Sequence, residues 1–380
     1  MFYPRLPATA HLAGIATLAL GVGLVGCSQE PAAQGDAASS EVAVETASVD
    51  LPQVVATTSV ICDLTQQIAQ GTIELTCLMD PGQDPHTYQA KPSDRQAIDE
   101  ADLVLYDGYD FAPGLLGLVN ASSNAAPKVA VYEAAVPEPL LGAGHDHDHA
   151  EDDAHDHAED EAHDHAEDEA HDHAEGEAHD HAEGEAHDHS EEELVADPHI
   201  WHSAVNNAAI AAVIATSLAK VNPDQAEIYT QTAATLTDQF TALDTWIQAQ
   251  VDTIPTGDRK LVTTHDAFRY YADAYGIEVK GALGGLSTEA QPSAATLTDL
   301  VDQVKAAQVP AIFAESTTNP DLINTVANNA AVKVAEQPLF VAGPGGPDSP
   351  AETTQAMLVV NTCTIVNALG GTCDEGSAPM

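Results

Sequence analysis

Short runs of β-branched and aliphatic residues alternate with longer helical segments, and they do so twice, on either side of one long helical stretch. Val54-Val55-Ala56-Thr57-Thr58 opens the first series. A helix over 60–70 follows and stops at Gly71; a strand over 72–79 then runs into the turn Asp80-Pro81-Gly82. Ser93 is placed to cap a helix through Glu100, because its hydroxyl accepts a free amide of the first turn. Leu103-Val104-Leu105-Tyr106 and Val129-Ala130-Val131-Tyr132 read as two more buried strands. Strands alternating with helices predict an α/β fold whose mostly parallel sheet is covered on both faces.

The long stretch runs from Ala204 to Val251 and breaks only at Asn222-Pro223-Asp224, where proline starts a new helix. Its second piece, 225–251, sets Ile228, Leu236, Phe240, Leu243 and Ile247 near helical spacing and is long enough to cross between two lobes as a rigid spine. The alternation then restarts. Lys260-Leu261-Val262-Thr263-Thr264 is a strand that ends in His265-Asp266, and a helix follows through Tyr275. Strands over 278–283, 311–314 and 332–334 alternate with helices over 294–307, 319–329 and 352–369. The expected organisation is an N-terminal α/β lobe over 51–222, a linking helix over 223–253 and a C-terminal α/β lobe over 254–380. In doubly wound sheets ligands sit at the carboxyl ends of strands, which is where His265 falls.

The first lobe is interrupted between Gly144 and Asp197 by a stretch with no apolar face to fold against anything, and it reads as disordered. It opens His145-Asp146-His147-Asp148-His149 and then repeats an eight-residue Ala-His-Asp-His unit from Ala154. The histidines are His145, His147, His149, His155, His157, His163, His165, His171, His173, His179, His181, His187 and His189. Paired imidazoles with carboxylates between them suit Zn, Ni, Cu or Co ions. Of the 60 acidic residues, 24 lie between His145 and Asp197, so much of the net charge of −49 is local. Only 11 Lys and Arg oppose it, which excludes a nucleic-acid binder on electrostatic grounds. Asp84-Pro85-His86 stands before the insert and Asp197-Pro198-His199-Ile200-Trp201-His202 directly after it. Two Asp-Pro-His tripeptides flanking a metal-collecting stretch point to a metal site in the folded part.

Export is written at the N-terminus. Arg5 precedes an apolar run from Leu12 to Val25, too short for a comfortable membrane span, which ends Leu24-Val25-Gly26-Cys27. That ending resembles the lipobox of bacterial lipoproteins, which implies a signal over 1–27, lipidation of Cys27 and a flexible tether over 28–50. Four cysteines remain: Cys62, Cys77, Cys363 and Cys373. An even count in an oxidising compartment permits two disulfides, with sequence-near pairing favoured among the three connectivities and free thiols the alternative.

Four stretches together resemble the solute-binding proteins of ABC-type zinc and manganese importers, of the ZnuA-like kind with a histidine-rich loop. They are Pro81-Gly82-Gln83-Asp84-Pro85-His86-Thr87-Tyr88 with Pro92-Ser93-Asp94; Asp197-Pro198-His199-Ile200-Trp201; Thr264-His265-Asp266-Ala267-Phe268; and Leu286-Ser287-Thr288-Glu289-Ala290-Gln291-Pro292-Ser293. Ile312-Phe313-Ala314-Glu315-Ser316 and the helix around Met357 extend the likeness over roughly 54–371. The resemblance implies metal in a cleft between the lobes, held by His86, His199 and His265. It also implies a fourth ligand in the loop before the last helix, where Asp348 is preferred and Glu352 or water are the alternatives. Manganese members tend to carry Glu where this chain has His265, and nitrogen there favours zinc. His202 and Trp201 are expected to be structural, and Glu315 either to orient a ligand imidazole or to cap.

The function expected from sequence is a monomeric, lipid-anchored receptor of the periplasm or cell envelope. It delivers Zn2+ to a membrane permease and its cytoplasmic ATPase, and the insert acts as a low-affinity zinc collector or sensor. A manganese receptor of the same family and an exported metal buffer or adhesin are the alternatives. An enzyme is not expected, because a zinc hydrolase needs a general base beside its water and no His-Glu-x-x-His motif occurs.

Overall fold

The computed structural model describes residues 50–143, 194–289 and 292–380. The signal segment with Cys27, the tether up to residue 49 and the thirteen insert histidines from His145 to His189 lie outside the described residues.

The first series comprises β1 (Gln53–Ala56), α1 (Ser59–Ala69), β2 (Glu74–Cys77), α2 (Pro92–Glu100), β3 (Leu103–Tyr106), α3 (Pro113–Ala121), β4 (Lys128–Ala130) and α4 (Val131–Ala135). Its strands form an all-parallel sheet in the order β2-β1-β3-β4, with Val54 level with Leu75 on one side and Leu103 on the other. Successive side chains of a strand point to opposite faces, and here both faces are covered. Val54 and Ala56 join Ile61 and Leu64 of α1 in one apolar cluster, while Val55 joins Ile98 of α2 and Leu115 of α3 in another. Burial on both sides is why these runs read as continuous apolar stretches rather than alternating ones.

Two details differ from the sequence expectation. Val131-Tyr132 begins a helix instead of completing a strand: the Tyr132 N–H donates to the Asp107 carbonyl, and both side chains are fully buried. A short apolar run does not declare its period, so strand and helix look alike there. Helix α3 was not expected, since Gly114 and Gly117 weaken its propensity; Pro113 in its first turn is its main local signal.

After α4 come β5 (Leu141–Ala143) and β6 (Leu194–Ala196), an antiparallel ribbon in which Ala143 pairs with Leu194. Residues 144–193 therefore leave and rejoin the fold at one point. The folded chain resumes earlier than the composition suggests, because Leu194–Ala196 is strand and Asp197 is completely buried.

Helices α5 (Ala204–Val221) and α6 (Ala226–Val251) pack against each other. Helix α6 has 26 residues, about 39 Å at 1.5 Å each. Its buried face is Tyr229, Leu236, Phe240, Leu243 and Ile247; Ile228 falls off that face and is 37% exposed. The second series follows: β7 (Lys260–Thr263), α7 (Arg269–Tyr275), β8 (Glu278–Ala282), α8 (Ala294–Ala307), β9 (Ala311–Ile312), α9 (Asp321–Ala330), β10 (Lys333–Val334) and α10 (Thr354–Ala368). Strands β7 and β8 pair in parallel, as do β9 and β10. The Phe313 N–H donates to the Val262 carbonyl, so the two pairs abut in the order β8-β7-β9-β10. That order repeats β2-β1-β3-β4 of the first half. The halves share one apolar core, in which Ile61, Phe240, Leu261, Phe313 and Met357 belong to a single cluster.

Disulfides join Cys62 to Cys77 and Cys363 to Cys373, with Cα separations of 5.7 and 5.1 Å, the sequence-near pairing. The first ties α1 to the end of β2; the second ties α10 to the C-terminal tail.

Candidate metal centre

Each of the three candidate ligand histidines follows a device that fixes its backbone. In both Asp-Pro-His tripeptides the aspartate turns back on the chain: Asp84 Oδ1 accepts the His86 N–H at 3.1 Å, and Asp197 Oδ1 accepts the His199 N–H at 2.9 Å. Such side-chain turns are what aspartate before proline favours, and they point the third residue inward. His265 follows the carboxyl end of β7, where the Thr263 hydroxyl donates to the His265 carbonyl and the His265 N–H donates to Glu315 Oε1 at 3.0 Å.

All three side chains are buried and converge. His86 Nε2 lies 3.2 Å from His199 Nε2, and His265 Nε2 lies 3.3 Å from His199 Nε2. The other ring nitrogens of two of them face carboxylates: His199 Nδ1 is 3.0 Å from Asp197 Oδ1, and His265 Nδ1 is 2.6 Å from Glu315 Oε2. A carboxylate acceptor holds the proton on Nδ1 and leaves Nε2 with its lone pair free. The His199 and His265 lone pairs, 3.3 Å apart, repel unless a proton or a metal cation lies between them. A tetrahedral ion with metal–nitrogen bonds of 2.0–2.1 Å spaces its donors by about 3.3 Å, so the spacing fits zinc. The cavity bounded by the three rings, Asp84, Phe111 and Thr317 has a volume of about 10 Å³, room for about one small sphere. No other cluster of three His, Cys, Asp or Glu donors occurs among the described residues.

Burial, together with the neighbouring His265, holds the His199 pKa well below the ordinary histidine value, so this ring meets an ion neutral. For His265, burial also opposes charge, but the carboxylates of Glu315, Asp84 and Asp266 together outweigh it and raise the pKa. Burial pushes Asp197 up to about 7, against the pull of its His199 bond and of Arg269. A dication at the centre would favour the ionised carboxylate.

The remaining expected residues fall elsewhere. Asp348, expected as the fourth ligand, is exposed on a turn at φ 65° and does not join the cluster. The loop that carries it is folded tightly onto α1: the Ser59 hydroxyl donates to the Ala342 carbonyl, and a Cβ on Gly343 would lie 2.2 Å from Ser59 Oγ. The Ser349 N–H closes a turn onto the Gly346 carbonyl, which leaves the carboxylate in solvent. Glu352 is also exposed and lines a surface cleft beside Cys62 and Asp63. His202 is buried but outside the cluster. Its Nε2–H donates to the Val341 carbonyl at 3.2 Å and its ring stacks on Phe268 at 4.2 Å. Trp201 donates to the same carbonyl and so pins the loop over the site.

Three contributors were not read from sequence. Asp197 orients His199 as Glu315 orients His265, and the repeated Asp-Pro-His was the available signal. Asp84 lines both the small cavity and an adjoining one of about 470 Å³ that also holds Thr87, Ser287 and Asp321. Phe111 sets its ring at 5.0 Å from His86 and 5.5 Å from His199, both edge-on, and nothing in the sequence around it marks that role.

Paired parallel sheets with buried imidazoles at a strand end define a metal-ion solute-binding protein of the kind that serves ABC importers. The chain belongs to the family described as zinc-uptake complex component A, periplasmic, which matches residues 54–368. It is 37% identical to the high-affinity zinc uptake system protein ZnuA of Paracoccus denitrificans, over 76% of this chain and 83% of that one. It is 29% identical to the manganese-binding lipoprotein MntA of Bacillus subtilis, over 74% of this chain and 76% of that one. The solved structure of the periplasmic zinc binding protein TroA from Treponema pallidum superposes with a TM-score of 0.67 at 28% identity, covering 84% of this chain and 99% of that chain.

Proposed function

We propose that this chain captures Zn2+ outside the cytoplasm and hands it to the permease of an ABC importer driven by a cytoplasmic ATPase. The observation that carries the reading is the convergence of three buried imidazoles, with the Nε2 atoms of His86 and His265 at 3.2 and 3.3 Å from His199 Nε2 and the Nδ1 atoms of His199 and His265 facing buried carboxylates. Similar proteins carry both zinc and manganese in their names, so the choice of ion rests on the donors. Three imidazoles are borderline-soft nitrogen ligands, which suit zinc better than the harder, oxygen-preferring manganese. The ion is cargo and the reading assigns no catalysis. Cys27 would carry the lipid anchor, in keeping with the lipoprotein names of several relatives, and the acyl chains would hold the receptor near its permease. The histidine-rich insert would collect zinc at low affinity and high capacity.

Isothermal titration and competition dialysis test this. Zinc should fill one tight site per chain and displace manganese at equal free concentrations, and His265→Ala should abolish that site. Preferential retention of manganese would move the chain to the manganese side of the family. An unchanged tight site in His265→Ala would remove the assignment altogether.

A further inference from the structure

The foot of the ribbon β5–β6 is braced against α7 by the Tyr270 hydroxyl. We propose that Tyr270 is a positioning residue for His199: its phenol clasps the foot of the ribbon to Asp197, and so links the metal cleft to the strands from which residues 144–193 depart. The proposal rests on the reading of His86, His199 and His265 as the metal site.

Tyr270 is the second residue of α7 and is 7% exposed. Its hydroxyl is used in both directions, accepting the Leu140 N–H at 2.9 Å and donating to the Asp197 carbonyl at 3.3 Å. The Asp197 N–H in turn donates to the Leu140 carbonyl at 2.8 Å, one step beyond the pairing of Leu141 with Ala196. Leu140 and Asp197, the feet of the two strands, are thus held by each other and by Tyr270. Asp197 then holds His199 through one carboxylate oxygen, at 2.9 Å from its N–H and 3.0 Å from Nδ1. Every one of these Asp197 groups is committed: its N–H to the ribbon, its carbonyl to Tyr270, its Oδ1 to the ligand. The next residue is Pro198, whose ring fixes φ, so a shift of the Asp197 peptide passes on to His199 with little slack.

The same clasp reaches the other half of the molecule. Helix α7 begins four residues after His265, and its first residue, Arg269, reaches Asp266 at 3.7 Å. Tyr270 therefore connects the loop of one candidate ligand to the backbone of Asp197, whose carboxylate orients another. Coupling between two places is reciprocal. An ion that fixes His199 and His265 stiffens the ribbon foot, and whatever orders the ribbon tightens the cleft.

The test uses the full chain as wild type, as Tyr270→Phe, and as a variant with His86→Ala, His199→Ala and His265→Ala combined. Tyr270→Phe keeps the buried ring and removes only the hydroxyl. Amide hydrogen exchange over 140–143 and 194–196, with and without one equivalent of zinc, reports the link. The visible spectrum of one equivalent of cobalt reports the ligand geometry, which a purely structural role would not move. Zinc should slow ribbon exchange in the wild type. In Tyr270→Phe the ribbon should stop responding to zinc while 265–268 still does, the cobalt bands should shift, and affinity should fall about threefold to tenfold, less than the roughly 10- to 100-fold that loss of a direct partner of a ligand costs. Wild-type affinity, spectrum and ribbon protection in Tyr270→Phe overturn the proposal. So does ribbon exchange in the wild type that ignores zinc, whatever the variant does. If the triple variant binds its first equivalent as tightly as the wild type, the metal-site reading fails instead.

Discussion

At the scale of single residues, Glu315 sets which nitrogen of His265 is left to meet an ion under the proposed function. It accepts a hydrogen bond from Nδ1 at 2.6 Å and one from the backbone N–H at 3.0 Å, and it is itself 2% exposed. An amide in its place keeps the shape but loses the charge and one of the two acceptor oxygens. Glu315→Gln should therefore weaken zinc binding by about 10- to 100-fold, the usual cost of losing a partner of a ligand histidine. Chelator competition on the purified variant measures it, and an affinity within a factor of two of wild type would contradict the role. Glu315 was legible in the sequence as a carboxylate at a strand end, but its choice between orienting and capping was not. That choice depends on β9 lying beside β7, a contact between residues about fifty positions apart. Asp197 and Asp84 were hidden in another way. Their tripeptides drew attention to the histidines, whereas the aspartates act through turn geometry that only the folded backbone displays.

At the scale of elements, the carboxyl ends of β1 and β3 are joined by a buried acid. Asp107 accepts the Thr58 hydroxyl at 2.5 Å and the Thr57 hydroxyl at 3.1 Å, below the aromatic group of Phe111, Tyr132 and Trp201. Burial raises its pKa from 3.8 to about 6, in spite of the two hydroxyls. The folded state thus holds this proton up to about pH 6 while the unfolded state gives it up near 3.8, so the contribution to stability is present at low pH and is lost as pH rises through about 6. At about 1.36 kcal/mol per pH unit the gap is worth roughly 3 kcal/mol. Asp107→Asn cannot titrate. Wild-type stability minus variant stability should therefore fall as pH rises from 5 to 7 and be flat above, in denaturant unfolding of metal-free protein. A difference that stays level over that range would mean the acid is ionised throughout. Elements of this kind show how far a sequence speaks. The alternation of strands and helices, the long helix and the positions of β1, β3 and β7 could be read, because apolar runs buried on both faces carry their own signature. The boundary at Val131 and the glycine-weakened α3 could not, because tertiary packing overrides weak local propensity. The loop before α10 was read as a ligand carrier, and its close approach to α1 at Gly343 is what leaves Asp348 outside.

At the scale of the whole molecule, the question is how the insert and the cleft divide the ion between them. The ribbon gives a clean way to ask it. Since Ala143 pairs directly with Leu194, residues 144–193 can be replaced by Asn-Gly, the two-residue turn that suits an antiparallel hairpin. A deletion that ran through Asp197, as composition alone would suggest, would remove a buried carboxylate that orients His199 and confuse the two effects. The thirteen histidines of the insert come as one His-Asp-His-Asp-His run and five His-Asp-His pairs, and its only apolar side chains are alanines, so an ion held there would have to fix backbone at roughly 1–2 kcal/mol per residue. The buried cluster of His86, His199 and His265 has its imidazoles already converged. The full chain should therefore bind several zinc ions, one tightly and the rest weakly, and the hairpin variant should retain only the tight one with its affinity unchanged within about threefold. Imidazole protonation competes with metal, so the weak sites should empty as pH falls through about 6.5. The dense carboxylates around them favour the protonated rings and start that loss at higher pH. Titrations of both proteins at pH 7.5 and pH 5.5 decide the matter. Weak sites that persist in the hairpin variant, or insert sites tighter than the cleft, would show that the division of labour is the reverse.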